Sequence, residues 1–269
     1  MTSRTSSGGS VADRQPRCLT VSPLQGLPRV KPGDDLSALL IEAIARAGLT
    51  PKRQDILVVA QKIVSKAEGR IVDLATVTPS ARAQELAAIT GKDPRLMQLV
   101  HAESSEVLRA KKNVVVVAQR LGLVMANAGI DQSNVETEGR RELALLLPEN
   151  PDASAAGLKS RLDAHFGVAL GVVISDSVGR AWRFGTVGLA IGAAGVPSII
   201  DQRGDTDMNG RVLMVTETAF ADSVASAAVL MMGEAAEGTP AALVSGLTWT
   251  APEKPARALI RPKAEDMFR

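Results

Sequence analysis

Short, unbroken aliphatic runs constrain this chain most. Ile56 to Ala60, Leu170 to Ile174 and Ala241 to Val244 each have the length of one strand, with no polar residue alternating inside them. A strand with one wet face alternates; a run without alternation is expected where both faces are covered. The covering layers must themselves be aliphatic, because Phe, Trp and Tyr together make up only 2% of the chain and Tyr is absent.

Helical signals lie between the runs. Asp34 and Asp35 are predicted to cap a helix with Leu36, Leu39, Leu40, Ala43, Ile44 and Ala47 on one face and Gly48 as its stop. Thr78-Pro79 reads as the cap and first turn of a helix ending at Gly91, and Asp93-Pro94 opens another that carries His101. Asp152 is predicted to start a helix running to Gly167, and Ala219 to Met232 is an Ala-rich helix. Val114 to Val117 and Leu121 to Ala126 read as hairpin strands, and Val212 to Val215 as a further strand. Strands and helices do not alternate regularly, so the expected class is mixed α/β (α+β) rather than a doubly wound sheet. One domain is expected over residues 18–250. A polar, disordered tail over 1–17 precedes it, with no apolar core of a secretory signal, and a loosely docked tail over 251–269 follows.

Composition removes several classes of function. Lys plus Arg is 31 and Asp plus Glu is 29, giving a net charge of +2 with no basic footprint for nucleic acid. The aromatic shortage also removes the stacking platforms of single-strand binders. No apolar run approaches a membrane span. Cys18 is the lone cysteine, so no disulfide forms within the chain, and with two histidines there is no Cys/His zinc cluster. The expectation is a soluble, cytoplasmic protein whose metal, where there is one, is a hard cation held by oxygen.

Familiar motifs are missing. There is no phosphate loop, and the glycines from Gly185 to Gly195 lack dinucleotide-loop spacing. Asp205-Thr-Asp207-Met-Asn209-Gly210 imitates a calcium loop, but Thr216 stands where Glu is needed, and a tight turn accounts for it. His101 and His165 sit in predicted helices with no catalytic partner nearby and read as structural or surface residues.

Three carboxylates stand at element ends, where scaffolds display chemistry. Asp131 follows the strand 121–126, Asp176 follows the strand ending at Ile174, and Glu234 follows the Ala-rich helix. Each alone also reads as a turn or cap residue. Together, with the Ser177 hydroxyl, they suit magnesium or manganese bound to substrate phosphates. Lys66 is either a phosphate-binding charge or a solvated surface lysine.

Around these residues the sequence resembles the coenzyme F420:L-glutamate ligase (F420-0:gamma-glutamyl ligase) family. The matching stretches include Gly26-Leu-Pro-Arg-Val30, Asp55 through Arg70, Asn127 to Asn134, Asp176 to Gly185, Asp201 to Arg211, and Met232-Gly-Glu with Pro240. They span about Leu19 to Trp249 in order. The resemblance implies a family-specific fold, an intertwined homodimer, and a cytoplasmic GTP-dependent ligase. That ligase adds L-glutamate to the deazaflavin F420-0, then further gamma-linked glutamates, releasing GDP and phosphate. It implies Mn²⁺ or Mg²⁺ in two sites, with K⁺ as a further cation. Asp131, Asp176 and Glu234 are implied as catalytic. Asp131 and Asp176 would hold one metal, Ser177 and Glu234 the other. The GTP surface would comprise Leu27, Pro28, Arg29, Val30, Gln61, Lys62, Lys66 and Asn134, with Met232, Gly233, Glu234, Ala235, Ala236, Glu237, Gly238 and Thr239.

The residues suit that chemistry. Activating a carboxylate by phosphoryl transfer asks for positioning and charge neutralisation rather than a nucleophilic side chain. Two other readings stay open: a related amide ligase acting on another carboxylate, and a non-catalytic GTP- or metal-binding module. Trp182 and Phe184, beside the Asp176 segment, are the aromatics nearest the expected chemistry.

Overall fold

In the computed structural model, which describes residues 18–132 and 142–268, the three aliphatic runs are neighbours in one sheet. The elements in chain order are β1 (Thr20–Pro23), α1 (Leu36–Arg46), β2 (Ile56–Ala60), α2 (Gln61–Ala67), β3 (Ile71–Asp73), α3 (Ala81–Thr90), α4 (Pro94–Ala102), β4 (Ser104–Lys111), β5 (Val114–Gln119) and β6 (Val124–Ala126). Then come β7 (Leu143–Leu145), α5 (Pro151–Phe166), β8 (Gly171–Gly179), β9 (Thr186–Ala194), β10 (Ile200–Asp201), β11 (Glu217–Thr218), α6 (Phe220–Met232) and β12 (Ala241–Ser245). The main sheet has the order β1-β12-β2-β8-β9. Only β2 and β8 run parallel, with Ile56 opposite Gly171 and Ala60 opposite Ser175; the other pairs are antiparallel. The fold is therefore α+β, with no closed barrel among the described residues.

The absence of alternation in the runs has the expected cause. Leu57, Val59, Val172 and Ile174 face α1, α2 and α5 in one core. Ile56, Val58 and Val173 face α6 in a second. Leu57, Val58, Val172 and Val173 have no solvent exposure. A smaller core lies between α3, α4 and the sheet β4-β5-β6.

Helix ends follow their capping chemistry, with shifts. The Asp35 carboxylate accepts from Ala38 N at 3.2 Å and starts α1 as expected. Helix α3 is capped by Ser80, not Thr78: the Ser80 hydroxyl accepts from Ala83 N at 3.3 Å. Helix α5 is capped by Asn150, with Pro151 in its first turn. Asp152 is thereby freed to accept from Ala193 N in β9 and Ala256 N in the C-terminal segment, at 2.9 and 2.7 Å.

Three expectations need correction. The run ending at Ile174 continues as β8 to Gly179, because β9 supplies an antiparallel partner throughout. Asp176 therefore lies within a strand rather than after one. Val212 to Val215 is not a strand. The Asp207 carboxylate draws the Asn209 and Arg211 amides into a tight turn, and Val212 makes only an isolated bridge to Thr206. The strand expected from Leu121 begins at Val124, and its sheet gains β4, whose polar face hid it from a hydrophobic reading.

The glycines of β9 are explained by close packing. A Cβ on Gly188 would lie 2.4 Å from the Ala225 carbonyl oxygen of α6, and one on Gly192 would lie 2.3 Å from the Pro151 oxygen of α5. Bare backbone in β9 lets two helices approach closely.

Candidate active site

The site forms where β2 and α6 end, against the second half of β8. Helix α2 starts directly from β2, and its Lys62 and Lys66, one turn apart, share a face while Ile63 and Val64 are buried. Because β2 and β8 pair in parallel with Ala60 opposite Ser175, Gln61 arrives beside Asp176. The Gln61 oxygen accepts from the Ser65 hydroxyl at 2.9 Å, and its side chain hydrogen-bonds the Asp176 carboxyl.

Strand alternation separates Asp176 from Ser177. Asp176 lies on the strand face of Ile174 and Val178, which pack in the first core. Ser177 lies on the α6 face, and its hydroxyl donates to Glu234 Oε1 at 2.7 Å. Glu234 is placed by the end of α6, just after Gly233, whose φ of 75° ends the helix. Asp131 follows the turn after β6 and is held to β7 by a two-bond bridge. Asp131 N donates to Leu145 O at 3.0 Å, and Leu145 N to Asp131 O at 2.8 Å. Asp131, Asp176, Ser177 and Glu234 line one cavity, together with Gln61 and Lys62.

A second cleft adjoins the first. It is lined by Leu27, Pro28, Arg29 and Val30, by Lys62 and Lys66, and by Met232, Gly233, Glu234, Ala235, Glu237, Gly238 and Thr239. Lys62 and Glu234 line both. Of the residues singled out for nucleotide binding, Gln61 belongs to the acidic cavity instead and Ala236 lines neither. Asn134 lies outside the described residues. Ile63, Ala60 and Pro240 also line the second cleft; as continuations of apolar runs they carry no sequence signal of a site. Trp182 and Phe184 sit exposed past the end of β8 and line neither cavity; Trp182 packs on Phe268 with ring centroids 4.9 Å apart. The molecule's largest cavity among those described, about 670 Å³, lies elsewhere, between α5 and residues 253–257, and holds none of the three carboxylates.

The two cavities differ in charge. Burial pushes the Asp176 carboxyl up to about 6, and the nearby Asp131 charge adds to this, against the Ser177 N–H, Lys62 and Gln61. In the other cleft, burial lowers the Lys66 ammonium below the ordinary lysine value, with Lys62 and Arg29 acting the same way and Asp131 opposing. A cationic cleft thus opens onto an acidic cavity, the arrangement a polyphosphate with its counter-cations requires. The 233–239 loop folds on itself. Glu237 accepts from Ala235 N at 2.8 Å, and the Thr239 hydroxyl donates to Met232 O at 2.7 Å.

The donor set fits hard divalent cations: carboxylates and a hydroxyl, one carboxylate desolvated beside a like charge. Among the described residues no three His, Cys, Asp or Glu side chains form a ready-made cage. The Asp131 charge acts on the Asp176 carboxyl, and the Ser177 hydroxyl is hydrogen-bonded to Glu234. A sparse oxygen donor set of this kind suits magnesium-type ions, which complete their coordination with water and substrate phosphates.

The chain belongs to the F420-0:Gamma-glutamyl ligase family, whose model matches residues 26–246. Among its relatives is the coenzyme F420:L-glutamate ligase of Methanothermobacter thermautotrophicus, 43% identical over 248 residues, covering 91% of this chain and 97% of that protein. The coenzyme F420:L-glutamate ligase of Methanopyrus kandleri is 42% identical over 256 residues, covering 93% and 98%. That of Methanocaldococcus jannaschii is 41% identical over 243 residues, covering 90% and 94%.

Proposed function

We propose that this chain is a GTP-dependent ligase of coenzyme F420 biosynthesis, adding L-glutamate to F420-0 and then further gamma-linked glutamates. The observation that carries the reading is the pair of adjoining cavities, one cationic and one acidic, that share Lys62 and Glu234. Relatives at this identity, matched over nearly their whole length, bear the name of that ligase.

The reaction balances as two transfers. An acceptor carboxylate oxygen attacks the γ-phosphorus of GTP, GDP leaves, and an acyl phosphate forms. The glutamate amine then attacks the acyl carbon, the C–O bond to phosphate breaks, and the amine gives up a proton. Lys66, Lys62 and Arg29 hold the polyphosphate by charge. Leu27 to Val30 and the 232–239 loop enclose the rest of the nucleotide. Asp131 and Asp176 are the ligands for one divalent cation, Ser177 and Glu234 for a second; when bound, Mn²⁺ or Mg²⁺ neutralises phosphate charge. Lys62, at the junction, orients the transferred group between the two cavities.

The proposal extends to a cytoplasmic homodimer. No helix among the described residues is long and apolar enough to cross a membrane. Exposed apolar side chains include Trp182 and Phe184 on the β8–β9 connection, Met208, Met214 and Val215 in the 202–216 loop, and Leu230 on α6. A second copy is the partner that such surfaces suit.

GDP release tests the reaction class. Sustained release, beyond one equivalent per active site, is expected only when GTP, a divalent cation, F420-0 and L-glutamate are all present; release independent of both acceptor and amine points to a nucleotide-binding module instead. Lys66→Ala is expected to weaken nucleotide binding about tenfold, the order of a charge-assisted contact. An unchanged dissociation constant by calorimetry would take Lys66 out of the site.

A further inference from the structure

Asp131 reaches the acidic cavity from an unusual stretch of backbone. Asn127, Ala128 and Gly129 have φ of 51°, 55° and 70°, so three consecutive residues turn left-handed. Two of them carry a Cβ, which this conformation forces toward the following carbonyl oxygen. Such backbone persists only where its surroundings over-determine it, and it gathers at functional sites.

The surroundings here are specific. Lys92, from the connection between α3 and α4, donates from Nζ to Asn127 Oδ1 at 2.9 Å. Leu147 closes over Gly129, where a Cβ would lie 2.9 Å from its side chain. Ile130 N donates back to Asn127 O at 3.0 Å, and Asp131 then locks onto Leu145.

Lys92 is placed for this contact rather than for solvent. It is half-buried, and burial holds its ammonium below the ordinary lysine value. No carboxylate among the described residues forms an ion pair with it; the adjacent Asp93 is engaged by Arg95. A desolvated ammonium spent on a neutral amide makes a strong, charge-assisted bond. Its effect is to fix the Asn127 side chain, and with it the left-handed turn.

We propose that Lys92 and Asn127 are positioning residues, their hydrogen bond locking the left-handed turn that presents Asp131 to the acidic cavity. This rests on the reading of Asp131 as a cation ligand. Neither residue touches substrate; they act through where Asp131 stands, as outer partners orient metal-binding groups elsewhere.

Mn²⁺ titration of the whole protein without nucleotide, read by the paramagnetic resonance of free Mn²⁺, tests the clamp. Lys92→Met and Asn127→Gly are each expected to weaken Mn²⁺ binding about tenfold, with unchanged circular dichroism. Lys92→Arg, which keeps a donor, is expected to recover most of the affinity. Asn127→Gly preserves the positive φ and carries the test where Lys92→Met fails to fold. Wild-type affinity in both variants, alongside weak binding by Asp131→Asn, overturns the clamp and leaves the ligand reading standing. Wild-type affinity in Asp131→Asn overturns the ligand reading itself.

Discussion

Asp176→Asn abolishes ligation and at the same time stabilises the cation-free protein near pH 8. Both effects come from one carboxyl. Burial raises its pKa from the ordinary 3.8 to about 6 in the folded chain, so the folded state holds the proton more tightly than the unfolded one. The stabilisation this provides is complete below the unfolded value and is lost as the pH rises through about 6. At higher pH the ionised, desolvated carboxylate is a burden of roughly 1–3 kcal/mol. Asn keeps the shape and the acceptor for the Ser177 N–H but carries no charge, so its thermal midpoint in chelator exceeds that of the wild type at pH 8, and the gap closes toward pH 4. Saturating Mn²⁺ reverses the order, because cation binding stabilises only the protein that binds it. Ligation falls by about a thousandfold, as when one preorganised group is removed from a charge-stabilising site. A variant that ligates at near wild-type rate in saturating Mn²⁺ removes Asp176 from the cation site. A lower midpoint in chelator contradicts the desolvation account.

Gly188→Ala damages fold and site together. The added Cβ would lie 2.4 Å from the Ala225 oxygen and 2.9 Å from Ser226 N, both backbone atoms of α6. Neither can rotate away, so α6 must move off the sheet. The cost is about 3 kcal/mol, at the upper end for overpacking, and the midpoint falls by roughly 6–12 °C. Gly188 pairs with Ser177 in the hairpin register, and α6 delivers Glu234 to the Ser177 hydroxyl at 2.7 Å. Displacing the helix therefore separates Ser177 from Glu234, and the variant loses activity even below its melting temperature. Scanning calorimetry reads the first effect and ligation at low temperature the second. A folded variant with normal activity contradicts the packing argument.

Much of this was legible in the sequence because it rests on local chemistry. Unalternated runs announce strands buried on both faces, and Asp35, Asp93 and Gly167 mark helix ends that the structure keeps. The three acidic junctions drew attention because so little else in the chain could do chemistry, and they line one cavity. What stayed hidden depends on partners distant in the chain. Strand β8 extends past Ile174 only because β9 is there to pair with it, so Asp176 looked like a loop residue. The glycines of β9 read as a failed dinucleotide loop, whereas their reason is the backbone of Pro151 and Ala225. Val212 to Val215 has strand-forming residues but no ladder to join. The left-handed turn at Asn127 leaves no pattern, since Asn-Ala-Gly is compatible with many conformations.

The central claim is that the cationic cleft and the acidic cavity act together to join glutamate to F420-0 at the expense of GTP. Mass spectrometry of the acceptor tests it most directly. With F420-0, GTP, Mn²⁺ and L-glutamate, F420-0 is expected to gain glutamyl units one after another, with GDP formed in step. No mass gain is expected when GTP is replaced by GDP, or in Asp176→Asn. An unmodified F420-0 under these conditions, or glutamyl addition that proceeds without GTP, would contradict it.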